Sequence, residues 1–115
     1  MIDPKLNALL KAVSKNEEND LKEQVMKLFE EGGELAQASL AYQNAPSCKH
    51  KGHTLTDVKE EAVDAILVLI SILHHLDTEE SEVTAIIKAK TTKWYGQQQQ
   101  EPHIDAMLDD LAIDR

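Results

Sequence analysis

Two short acidic patterns hold the residues of this chain best suited to chemistry. One reads Glu30-Glu31-Gly32-Gly33-Glu34, the other Glu60-Glu61-Ala62-Val63-Asp64. Each contains two carboxylates three residues apart: Glu31 with Glu34, and Glu61 with Asp64. On a helix that spacing turns about 300°, so both acids of a pair leave one face as neighbours. Like charges so placed repel. A divalent cation between them removes the repulsion and finds the oxygen-rich surroundings that magnesium prefers. The Glu31–Glu34 pair alone reads well as ordinary surface acids; the Glu61–Asp64 pair, on a helix of wide apolar surface, is harder to read that way. Two pairs on neighbouring helices make a four-carboxylate cluster of Glu31, Glu34, Glu61 and Asp64.

The elements that must position these acids are helices. Only four aromatics, four glycines and three prolines occur, whereas small β-rich domains use more aromatic and turn residues. Asp3-Pro4 marks the start of a first helix, with proline at its first position. Asn19 is placed to cap a second, whose buried face is marked by Leu21, Val25, Leu28 and Leu35 and which runs to about Tyr42 or Gln43. Gly32 and Gly33 lie inside it. Each costs about 1 kcal/mol relative to alanine, which hints that a backbone or ligand approaches closely there. Residues 45–55 read as a loop. Thr56 or Asp57 then caps a third helix, reaching about His75. Thr78 caps a fourth that stops near Gly96, and a last helical piece is expected over 102–111.

The third helix frames the second acid pair. From Ala62 to Leu73 every residue is apolar except Asp64 and Ser71. An apolar surface that wide implies burial on most sides. Polar residues are confined to a seam through Asp57, Glu60, Glu61, Asp64, Ser71 and His75. A carboxylate pressed among apolar neighbours is costly unless paired or metal-bound. The second and third helices, joined by one loop, are expected to be antiparallel neighbours.

The whole chain sets limits on function. Its 115 residues suit one domain, with a modest core that dimerisation would enlarge. The net charge is −9, from 12 basic and 21 acidic residues, and no basic patch with interleaved aromatics occurs. A nucleic-acid polymer is therefore not an expected partner. A polyphosphate could be held by so acidic a protein only through divalent cations. Cys48 is the single cysteine, so no internal disulfide forms. The longest apolar run, Ala65 to Ile70, is too short to span a bilayer. No signal-peptide pattern opens the chain, so a cytoplasmic protein without a membrane partner is the default expectation.

The double acidic motif resembles the MazG-like branch of the all-α nucleoside triphosphate pyrophosphohydrolases. Glu30-Glu31-Gly32-Gly33-Glu34-Leu35-Ala36-Gln37-Ala38 is similar to the family's first motif, and Glu60-Glu61-Ala62-Val63-Asp64-Ala65-Ile66-Leu67 to its second. The resemblance extends over about residues 21–95. It implies an all-α bundle of four to five helices that forms a homodimer or a dimer of dimers. It implies magnesium-dependent hydrolysis of nucleoside triphosphates to the monophosphate and pyrophosphate, with a housecleaning role for the nucleotide pool. Carried over residue by residue, Glu31, Glu34, Glu61 and Asp64 bind metal, and Glu30 and Glu60 take a supporting or base role. Lys90, with Lys93 beside it, matches the basic phosphate contact on the following helix. Trp94 stands where the family often has Arg or Asn, and Val63 where many relatives have glycine. Phosphoribosyl-ATP pyrophosphatase shares a similar acid pattern but not the flanking sequence. From another class, a non-catalytic helical dimerisation or partner-binding module would carry the same acids on its surface.

Remaining features have plainer readings. Cys48, His50 and His53 lack the paired spacing of a structural zinc site and read as loop residues. Trp94 and Tyr95 could stack on a nucleobase or cover the core at a helix end. Lys27, one turn before Glu31, reads as an exposed helix pair. No Glu-x-x-His motif points to a di-iron bundle.

Overall fold

The computed structural model describes residues 3–43 and 54–113. Among them the protein is all-α. Five helices are present and no strand: α1 (Pro4–Lys15), α2 (Leu21–Tyr42), α3 (Leu55–His75), α4 (Glu80–Tyr95) and α5 (Pro102–Asp110). Cys48, His50 and His53 lie outside the described residues. No described helix is long and apolar enough to cross a membrane. The chain forms two compact units, residues 1–77 with α1 to α3 and residues 78–115 with α4 and α5.

Local chemistry explains where the helices begin. Asp3 caps α1, its Oδ1 accepting the Leu6 N–H at 2.9 Å, and Pro4 follows in the first turn. Asp20, not Asn19, caps α2 by accepting from Glu23 N–H at 2.9 Å. The Asn19 carbonyl instead accepts from the Gln24 amide at 3.0 Å. The third helix starts earlier than Thr56 or Asp57, because Thr54 and Asp57 form a reciprocal capping box. Thr54 Oγ1 accepts the Asp57 N–H at 3.3 Å, and Asp57 Oδ2 accepts the Thr54 N–H at 2.7 Å. The N-cap of α4 is Glu79 rather than Thr78, with no side-chain cap bond.

The C-termini also differ from expectation. Gly96 ends α4 in a right-handed conformation, φ −60°, so it makes no left-handed turn. The left-handed residues are Asp77 after α3 and Ala112 after α5, both at φ 53°. At Ala112 the turn is a Schellman motif. Ile113 N–H donates to the Leu108 carbonyl at 3.1 Å and Ala112 N–H to Asp109 at 2.9 Å.

In the first unit α1 and α2 both pack against α3. The register of α2 on α3 follows from two contacts. Ser71 on α3 donates to Gln24 on α2. Ten residues further along α2, Glu34 meets Glu61, ten residues back along α3. The two helices are therefore antiparallel.

Burial on α2 is offset from the expected face. Its buried residues are Gln24, Glu31, Ala38 and Ala41, while Leu21 and Val25 are exposed and Leu28 and Leu35 half-buried. Gln24, Glu31 and Ala38 recur every seven residues, two turns apart, and so form one stripe. Alanine lets the facing helix approach closely at one end of that stripe; polar side chains occupy the other. No residue of α3 is fully buried, contrary to what its apolar breadth implies, and Val63, Ile66, Leu67 and Leu69 are exposed. Gly32 and Gly33 sit within continuous helix. An added Cβ at either would meet nothing within 4 Å, so the expected close approach does not occur among the described residues.

The second unit is held by Tyr95, which is buried at the end of α4. Its hydroxyl accepts the Glu101 N–H and lies within donating distance of the Glu101 carbonyl (3.0 Å) and Asp105 Oδ1 (3.2 Å). The ring thus covers a helix end, the plainer of its two sequence readings. Leu108 is buried on α5.

Candidate metal centre

The stripe on α2 and the start of α3 bring three of the predicted acids together. Glu31, Glu34 and Glu61 each offer a carboxylate oxygen, and all three oxygens lie within 4.8 Å of one another. Their surroundings grade from inside to outside. Glu31 is 8 % exposed, Glu61 half-buried and Glu34 exposed. The cluster is thus a cup closed at its base by the α2–α3 contact and open on one side.

Electrostatics strain this cup. The neighbouring Glu31 charge, then partial desolvation, then Glu61 hold the Glu34 carboxyl above the ordinary glutamate value. Glu61 Oε2 is buried and receives no hydrogen bond. A buried carboxylate oxygen with no donor costs free energy until something positive reaches it. These three carboxylates, with Glu34 repelled by its neighbours and Glu61 holding an orphaned oxygen, are an oxygen-only donor set that could hold a hard divalent cation.

Lys27 is the local counter-charge. Its Nζ lies 3.2 Å from Glu31 Oε1 and 3.8 Å from Glu30 Oε1. Its hydrogen bond to Glu31, with the Glu30 and Glu31 charges, raises the ammonium pKa above its usual value. The helix pair with Glu31 is as the spacing suggested. Its partner, however, is buried, so the contact does more than decorate the surface.

Asp64 is not part of the three-acid group. By the antiparallel register it is level with Glu31, but its side chain is one methylene shorter than glutamate and stays exposed. It borders an open depression with Thr56, Lys59, Glu60 and Val63. Glu60 is exposed, and Glu30 is exposed beside Lys27 on the outer side of α2. Lys90, Lys93 and Trp94 are exposed on α4 in the second unit, Trp94 at 66 %.

Gln24 was not singled out from the sequence. It is 4 % exposed and joins α2 to α3, its Oε1 accepting from Ser71 Oγ at 2.9 Å. The signal was available in its spacing, since it stands seven residues before Glu31 and therefore on the same side of the helix. Comparison with family models, with curated proteins and with solved structures finds no match to this chain.

Proposed function

We propose that this protein is a magnesium-dependent nucleoside triphosphate pyrophosphohydrolase of MazG-like type. The observation that carries the reading is the cup of Glu31, Glu34 and Glu61, three carboxylates on two antiparallel helices with one buried oxygen lacking any donor. The two motifs that resemble the family supply these same residues.

Each residue then has a role. Glu31, Glu34 and Glu61 hold the cation, and Asp64, on the next turn of α3, is the candidate to join them when the nucleotide is bound. Magnesium there would neutralise phosphate charge and make the attacking water more acidic. Water attacks the α-phosphorus, the bond to the bridging oxygen breaks, and pyrophosphate leaves. The water's proton passes to a carboxylate, for which the exposed Glu30 and Glu60 are the candidates. Lys90 and Lys93 are the phosphate contacts that the resemblance implies, and Trp94 stands where the family often has Arg or Asn.

A homodimer or homotetramer belongs to the same reading. The exposed apolar side chains of α3, among them Val63, Ile66 and Leu69, are what a second copy would cover. That same apolar surface also favours a second reading, a non-catalytic helical module that binds a partner. Magnesium separates the two, because a module with surface acids gains no metal-linked stability.

The test is pyrophosphate release from a panel of canonical and modified nucleoside triphosphates and phosphoribosyl-ATP, with magnesium and with chelator, beside Glu61→Gln and Asp64→Asn. Magnesium-dependent release that collapses in Glu61→Gln is the expected result. Preference for phosphoribosyl-ATP would move the protein to the related pyrophosphatase. No release by folded protein from any member would favour the binding module.

A further inference from the structure

A cleft of about 280 Å³ opens between the three helices of the first unit. Leu10 and Val13 of α1 and Leu67 and Val68 of α3 make it largely apolar, while α2 contributes Gln24 and Lys27. Such a volume is at the lower limit of small-molecule sites, about 300–1,000 Å³. It suits one heterocycle rather than a whole nucleotide.

The polar side of the cleft is made by Ser14, Glu17, Asn19, Lys27 and Ser71 together with Gln24, a nearly buried amide with spare capacity. Gln24 Nε2 donates to the Asn19 carbonyl at 3.0 Å, and Oε1 accepts from Ser71 Oγ at 2.9 Å. A glutamine amide has two N–H donors and two acceptor lone pairs. One of each is left uncommitted by the described residues. A fixed donor and acceptor side by side, set in apolar walls, is the chemistry that reads the edge of a planar base.

The cleft also leads toward the carboxylates. Gln24 and Glu31 are seven residues apart, so they share one side of α2 at a separation of about 10 Å along its axis. Lys27 lies between them, lining the cleft and reaching Glu31 at 3.2 Å. Heterocycle site, cation and acid cup therefore follow one another along a single helix face.

We propose that this cleft receives the nucleobase of a nucleotide whose phosphates lie at Glu31, Glu34 and Glu61. Lys27 stands beside the sugar–phosphate junction and can exchange Glu31 for a phosphate oxygen. The inference rests on the reading of the carboxylates as the phosphate end of the site, and it names which part of the substrate sets specificity.

The experiment follows backbone, methyl and side-chain amide NMR signals of the whole chain, in magnesium, during titration with the four deoxynucleoside 5′-monophosphates. At least one should shift the Gln24 side-chain amide and the Leu10, Val13 and Leu67 methyls saturably. Val13 is 58 % exposed, so Val13→Trp can fill the cleft without disturbing buried packing. It should weaken that nucleotide at least tenfold while leaving the thermal shift caused by magnesium alone unchanged. Free nucleoside separates the two ideas. Saturable shifts at Gln24 without any magnesium effect would keep the cleft and remove the metal reading. A magnesium effect with nucleotide shifts only outside the cleft, or unchanged binding by Val13→Trp, overturns the proposal.

Discussion

Replacing Glu34 with glutamine should stabilise the metal-free protein and remove most of its response to magnesium. The sign follows from the direction of the pKa shift. Glu34 is held above its ordinary value of 4.5 by Glu31, by desolvation and by Glu61. A raised carboxyl contributes stability below that ordinary value and loses it as pH rises through the folded one. At pH 7 the ionised Glu34 therefore opposes folding, and glutamine removes the opposition while keeping the shape. Magnesium reverses the balance. The cup offers three carboxylates, one of them already neutralised by Lys27 at 3.2 Å, so an affinity of about 1 mM is a reasonable scale for an open site. At tenfold excess, binding then adds about 1.4 kcal/mol. In a unit of residues 1–77, each kcal/mol moves Tm by about 4–8 °C, giving a rise of about 6–11 °C. Differential scanning calorimetry at pH 5 and pH 7, with chelator or 10 mM magnesium, makes the comparison at the ordinary scale of such affinities. Glu34→Gln should melt higher than wild type in chelator, by more at pH 7 than at pH 5, and keep less than a third of the magnesium rise. A lower melting point in chelator, or a full magnesium rise, would refute the cup as a strained cation site.

Two further predictions concern what holds the cup in place. Gln24→Leu leaves Ser71 Oγ and the Asn19 carbonyl without their partner and should cost about 1–3 kcal/mol in urea unfolding; adding Ser71→Ala should recover part of that loss. Gly32→Ala and Gly33→Ala meet no atom within 4 Å. Each should raise stability by about 1 kcal/mol in the same assay, and a loss at either would show that something does approach that face.

The sequence by itself determined the helices and the acids they carry, because those signals are local. Asp3-Pro4 opens α1 as its residue types require, and the spacing of Glu31 with Glu34 places both in one helix. Cap identities slipped by one or two residues, since several adjacent residues can accept the same N–H groups. Thr54 prevailed over Thr56 because Asp57 could answer it reciprocally. Tertiary structure decided which acids meet. That depends on how α2 is rotated against α3, and the small Ala38 and Ala41 turn Gln24 and Glu31 inward in place of Leu21 and Val25. It also depends on reach, which brings Glu61 into the cup and leaves the shorter Asp64 outside. The cleft beside Gln24 needs walls from α1 and α3 that are about fifty to sixty residues apart in sequence, and no periodicity along one helix can report a space that three helices enclose.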